Sequence, residues 1–295
     1  MKIFDGHLHI GGYKKPDPAA LLEKMAECGV YGGSIFSIDP EDKAFSYEER
    51  IDNLFSWVKG YEDRLFPVAW LHPYEENIFE KVRECTDRGV CAFKFIANNY
   101  YVNEEIPTKV FKLIEELGKP IIFHSGILYD FDVNCDYNRP GNWECFMHYK
   151  NLKFVMAHCS HPWFDECIML YGKFRWIGNQ AKCAARGEHT VYKNFPWVKN
   201  HIDKNGICCV PELYIDIAPG PNKIYKKEVL SKLCSYYPTG ERIIFGSDTY
   251  VEDYPVDTVK EWLAFEKEIL DSQNASLEFR ENLYRNSLMS FLGKC

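Results

Sequence analysis

Eight short apolar segments, at 2–9, 33–38, 65–71, 90–96, 120–124, 152–158, 209–216 and 242–248, punctuate this chain at intervals long enough to hold a helix between neighbours. Such runs read as strands buried on both faces, which is the pattern of a parallel sheet covered by helices rather than of a half-solvated antiparallel one. Helical periodicity fills several of the gaps. Asp17-Pro18 opens a helix closed near Gly29, a second over 74–88 is closed by Gly89, and a third over 107–117 by Gly118. Further helices are expected at 162–171, 226–236, 256–271 and 277–292, with 127–142 and 178–206 as longer loops containing some helix. Eight βα units predict a distorted (β/α)8 TIM barrel, with a doubly wound open sheet as the alternative α/β fold. A barrel of this kind takes up the whole of 1–295 as one domain.

In a barrel the chemistry sits at the C-terminal ends of the strands. The first segment ends in His7-Leu8-His9, whose side chains at i and i+2 share one strand face. The fifth ends at His124, the sixth at His158 and the eighth at Asp248. Five ligand-type side chains from distant parts of the sequence are thereby expected at one barrel mouth, and imidazole and carboxylate are ordinary metal ligands.

A formal charge of −8 and the lack of any Lys/Arg-rich run argue against nucleic acid as a partner. No apolar run approaches the roughly 20 residues that cross a bilayer. The sequence enters its first strand without a basic leader and cleavage site, so a cytoplasmic protein is expected. Twelve scattered cysteines, none in a Cys-x-x-Cys pair, read as reduced thiols, with Cys159 turned to the strand face opposite its neighbours.

Taken in order, Phe4-Asp5-Gly6-His7-Leu8-His9, the Lys94 segment 92–95, Phe123-His124-Ser125-Gly126, the run 151–158 ending in His158, Phe245-Gly246-Ser247-Asp248 and Asn282-Leu283-Tyr284-Arg285-Asn286 resemble the amidohydrolase superfamily, in its amidohydrolase-2 branch of metal-dependent hydrolases and related decarboxylases. The resemblance implies that His7, His9, His124 and Asp248 surround one divalent metal, with zinc favoured over manganese or iron and one ion favoured over two. It implies that His158 is either a ligand of a second metal or a catalytic group, and that Lys94 is a substrate-anion contact, a buried ion-pair partner or a metal-bridging carbamate.

The activity implied is metal-dependent hydrolysis of a C–N or C–O bond in a small, carboxylated or cyclic substrate. A metal-activated water is the nucleophile, Asp248 the proton acceptor and His158 the group that stabilises the oxyanion. Nonoxidative decarboxylation of a small aromatic or enol acid is the alternative, followed by metal-free lactone hydrolysis and by a non-catalytic binding barrel. Arg139, Asn142, Trp143, Arg186 and Glu212 are candidate substrate contacts in or near the long loops. His72 is expected to be structural, and His148, His161, His189 and His201 to lie in loops or on the surface. The aromatic segment 192–197 is expected either to meet a second copy in a homo-oligomer or to cap the barrel.

Overall fold

A computed structural model of the chain describes residues 1–130, 132–218 and 223–294; position 131, within the expected loop 127–142, lies outside the described residues. The strands are β1 (Ile3–His9), β2 (Val30–Phe36), β3 (Leu65–Trp70), β4 (Ala92–Phe95), β5 (Ile121–Phe123), β6 (Lys153–Met156), β7 (Glu212–Asp216), β8 (Ile243–Ile244) and β9 (Thr249–Tyr250). All pairings are parallel, in the order β8-β7-β6-β5-β4-β3-β2-β1-β9. The last two strands are halves of one eighth strand: β8 pairs with β7 and β9 with β1. Between these halves, Gly6 N donates to Phe245 O at 2.8 Å and Asp248 N to His7 O at 3.0 Å. These bonds close the sheet into a TIM barrel. Gly6 is required at the seam, because a Cβ there would stand 2.6 Å from Ile244 Cγ2 and 2.9 Å from Phe245 O.

The helices are α1 (Pro18–Glu27), α2 (Tyr47–Val58), α3 (Ile78–Arg88), α4 (Glu105–Glu116), α5 (Phe164–Ala185), α6 (Pro196–Lys199), α7 (Lys223–Tyr236), α8 (Val256–Ser272), α9 (Leu277–Glu281) and α10 (Ser287–Leu292). Sequence periodicity missed α2, whose start is fixed by a capping box: Ser46 accepts from Glu49 N, and Glu49 reaches back to Ser46 N. It also stopped α5 too early, so the first part of the expected loop 178–206 is helix. The expected helix over 277–292 is interrupted by a π turn at Asn282–Asn286. No helix among the described residues is long and apolar enough to cross a membrane.

Strand alternation sorts the barrel's two faces. Ala92, Ile122, Val155, Tyr214 and Ile244 point inward with Phe4, Phe36 and Phe66, and α10 closes the floor with Leu288, Met289 and Phe291. Their strand neighbours Phe93, Phe95, Ile121, Phe123, Phe154, Leu213 and Ile215 face the helices. Continuing the same alternation by one step turns Lys94, His124 and Asp216 inward above this floor, which is how the apolar barrel comes to end in a polar layer.

Trp143, expected as a substrate contact, belongs instead to the helix-facing core. It sits in the 3-10 helix Pro140–His148, fully buried, its ring centroid 5.9 Å from that of Phe123. A bulky apolar ring beside β5 gains more from burial than a position at the mouth would give it. Cys159 is likewise buried on the helix side, its Sγ 3.9 Å from that of Cys167, and the described cysteines are all free thiols. Trp143→Ala is expected to lower unfolding stability by about 3–5 kcal/mol while leaving the number of metal ions bound per chain unchanged. Denaturant titration and metal analysis of the same preparation check both.

Candidate active site

His7 and His9 come from the end of β1, where the pairing with β2 slips between Asp5 and Leu8. Asp5 holds this turn of backbone: its Oδ1 accepts from His7 N at 3.1 Å and Ser247 N at 2.9 Å, tying the end of β1 to the eighth strand. His124 follows β5, His158 follows β6, Asp216 ends β7 and Asp248 precedes β9. The rings of His7 and His9 lie 5.1 Å apart, those of His7 and His158 4.9 Å, and those of His124 and His158 5.0 Å. All of them, with Lys94 and Asp248, line one cavity of about 470 Å³.

The hydrogen-bond pattern settles which nitrogens are available. Asp216 Oδ2 lies 2.8 Å from His7 Nδ1, and Asp216 Oδ1 accepts from His158 N at 2.8 Å and Ala218 N at 3.0 Å. A carboxylate only accepts, so the His7 proton is on Nδ1 and Nε2 keeps a lone pair. His7 Nε2 is buried without a hydrogen-bond partner and lies 3.4 Å from Asp248 Oδ1; His124 Nε2 is buried and partnerless as well. Asp248 Oδ1 lies 3.1 Å from His9 Nε2, and Asp248 Oδ2 lies 3.9 Å from His158 Nδ1.

Burial pushes the pKa of His7 down to about 4, against the pull of Asp216, and holds that of His124 well below its ordinary value, with His158 and Lys94 adding to the effect. Burial acts the other way on the carboxylates. In Asp248 it is overcome by His158 and His7, and in Asp216 by the His7 imidazole, so both stay ionised well below the usual range. At neutral pH the mouth therefore presents buried neutral imidazole lone pairs facing a carboxylate. Buried acceptors aimed at one another repel unless a cation lies between them. This donor set fits a divalent metal.

The tightest cluster is His7, His158 and Asp248, whose ligand atoms lie within 4.8 Å of one another. The sequence reading grouped His7, His9, His124 and Asp248 and set His158 beside them. In the structure His158 stands inside the cluster, with His9 and His124 bordering it.

The other expected contacts lie away from the cavity, each held by a local partner. Arg139 Nε bonds Glu166 Oε2 at 3.1 Å, Arg186 Nε pairs with Glu188 Oε1 at 2.6 Å beyond the end of α5, and Arg242 Nη2 bonds Glu212 Oε1 at 2.6 Å. Asn142 caps its own loop through the carbonyls of Asp136 and Tyr137. His72 and His161, expected to be structural or peripheral, both line the cavity. Asp216 was missed altogether, although the alternation that turns Tyr214 inward also turns Asp216 toward the mouth.

Residues 4–191 match the amidohydrolase family (Amidohydro_2). The chain belongs to that family. Its fold is shared with a probable 2-pyrone-4,6-dicarboxylic acid hydrolase from Acinetobacter baumannii, with TM-score 0.58 and 12% identity over 99% of this chain and 100% of the other. It is shared with Amidohydrolase 2 from Bifidobacterium longum subsp. infantis, with TM-score 0.54 and 12% identity over 100% of both chains. Dihydroorotase from Campylobacter jejuni superposes with TM-score 0.51 and 15% identity, over 99% of this chain and 83% of that one. A segment of 88 residues is 28% identical to ferrochelatase from Synechococcus elongatus, covering 29% of this chain. The chain thus spans 23% of the length of the curated relatives it matches.

Asp216→Asn keeps the shape but weakens the acceptor that fixes the His7 tautomer, and is expected to lower zinc affinity by about 10- to 100-fold. Competition against a chromophoric chelator checks it.

Proposed function

We propose that this chain is a metal-dependent hydrolase that cleaves a C–N or C–O bond of a small molecule. One observation carries the reading: His7 Nε2 and His124 Nε2, both buried, neutral and without hydrogen-bond partners, open onto the cavity that Asp248 faces. His7, His158 and Asp248 would hold one divalent cation, zinc in the first place, with His9 and His124 beside it. A cation there supplies Lewis acidity and lowers the pKa of water from 15.7 to about 7.

The residues divide the remaining work. Asp216 fixes His7 through Nδ1 and the backbone of His158 through its other oxygen, so both rings are oriented before a substrate arrives. Asp248, ionised and with its side chain 32% exposed, would accept a proton from water and return it to the leaving group. His158 would stabilise charge developing on the attacked carbonyl oxygen. A C–C lyase acting on an acid is the second reading. Lys94 is the cavity's one Lys/Arg side chain among the described residues and would have to hold that acid alone.

Metal analysis by inductively coupled plasma mass spectrometry is expected to give about one ion per chain, absent in His7→Ala. Hydrolysis of an amide, ester and lactone panel is expected to vanish on chelation and to return with zinc. No bound metal after zinc or manganese is supplied would overturn the proposal, and release of carbon dioxide without hydrolysis would move it to the lyase.

A further inference from the structure

We infer that the pocket selects a small zwitterion, with Lys94 receiving its carboxylate in the buried wall and Glu41 and Asp130 facing its cationic end at the exposed edge. The inference rests on the hydrolase reading only for which bond is cut.

Lys94 stands on the inward face of β4, one alternation above Ala92, and is 1% exposed. Its ammonium lies 5.3 Å from the centroid of the Phe36 ring and, among the described residues, has neither a hydrogen-bond partner nor a carboxylate within the 4.0 Å of an ion pair. The acids nearest in effect are Asp216 and Asp248, followed by Asp39. Asp216 is committed to His7, His158 and Ala218, and Asp248 to His9 and His7. A lysine whose stem is buried and whose ammonium, unpaired by the protein, meets only the cavity offers its donors to whatever enters. A carboxylate accepts them, and an apolar or cationic group does not.

The rim carries the opposite charge. Asp39 and Glu41 lie in the loop after β2 and Asp130 in the loop after β5, and all three line the cavity. Their hydrogen bonds come from neutral groups: Asp39 from Glu41 N at 2.9 Å, Glu41 from Asn98 Nδ2 at 2.6 Å, and Asp130 from Asn134 Nδ2 at 2.7 Å and 2.8 Å. Among the described residues none has an ion-pair partner, and the arginines expected at the mouth are tied to surface glutamates. Apart from Asp248, which is committed to the histidines, the cavity therefore carries one cation, Lys94, in its buried wall and the acids Glu41 and Asp130 at its exposed edge; Trp70, Tyr129 and Tyr250 line it as well. A second carboxylate on the substrate meets those acids, whereas an ammonium meets its complement.

The test is calorimetric binding of three ring acids of one size to the zinc-supplied full chain: 4-methylbenzoate, 4-(aminomethyl)benzoate and terephthalate. 4-(Aminomethyl)benzoate is expected to bind tightest and terephthalate weakest, about tenfold apart. Lys94→Gln is expected to weaken all three by about tenfold or more, the loss of one charged hydrogen bond. The exposed pair Glu41→Gln/Asp130→Asn is expected to weaken 4-(aminomethyl)benzoate and to strengthen terephthalate, and so to close the gap between those two. Terephthalate binding as well as the zwitterion, no binding of any of the three, or Lys94→Gln leaving 4-methylbenzoate unaffected would overturn the inference. Metal content and hydrolysis of the neutral panel, read on the same preparation, separate the two conclusions. The expected binding order in a chain that holds no metal and cleaves nothing supports the charge assignment and overturns the hydrolase reading.

Discussion

The hydrogen bond between His7 Nδ1 and Asp216 Oδ2, 2.8 Å long and buried, joins the first strand to the seventh across the barrel and fixes everything above it. It pins the tautomer that leaves Nε2 free. Through its other oxygen Asp216 also holds the backbone of His158, so one carboxylate sets two of the three members of the tightest ligand cluster. Removing the acid would leave a buried imidazole without its proton acceptor and a buried N–H without a partner, so the cost falls on fold and site together.

A related economy appears in the backbone. His158, Cys159, Ser160 and Asp248 all have positive φ, between 44° and 57°, a region that non-glycine residues enter at a cost. They cluster just after β6 and between the two halves of the eighth strand, where a regular strand would carry the side chains past the mouth. Two hydrogen bonds hold the turned conformations: Asp216 Oδ1 accepts from His158 N, and Asp248 N donates to His7 O. The strain is thus maintained by the same carboxylate and the same strand that build the site.

The barrel was legible because its strands are buried on both faces, and continuous apolar runs survive as a signal whatever their tertiary contacts. The ligand-type residues His7, His9, His124, His158 and Asp248 were legible because each terminates such a run. Helix α2 was overlooked although its signals stand in the sequence: Ser46 and Glu49 cap its start, and Gly60, with φ 82°, follows two residues past its end, as Gly29 does after α1. What failed beyond it was decided by local partners. Arg139, Arg186 and Glu212 have side chains suited to substrate, and only the structure shows their counter-ions at Glu166, Glu188 and Arg242. Asp216 was within reach: it ends an apolar strand as His124 does, but an acid at a strand end also reads as a turn residue, and it lies too deep to be found without knowing that His7 faces it.

The placement of charge follows from the same geometry. Strand alternation sends Lys94 inward at the level where the apolar floor stops, while the acids Glu41 and Asp130 arrive on loops and stay in solvent. A net charge of −8 sets the sign of the surface, and Lys94, the one Lys/Arg side chain lining the cavity among the described residues, opposes it. An anion reaching the cavity must cross an unfavourable rim before it meets Lys94, so charge at the far end of a substrate decides entry while charge at the near end decides retention. The metal ligands are set by the barrel's strands and the rim by its loops. Selectivity can therefore change through residues such as Glu41 and Asp130 without disturbing the bond between His7 and Asp216 on which the centre depends.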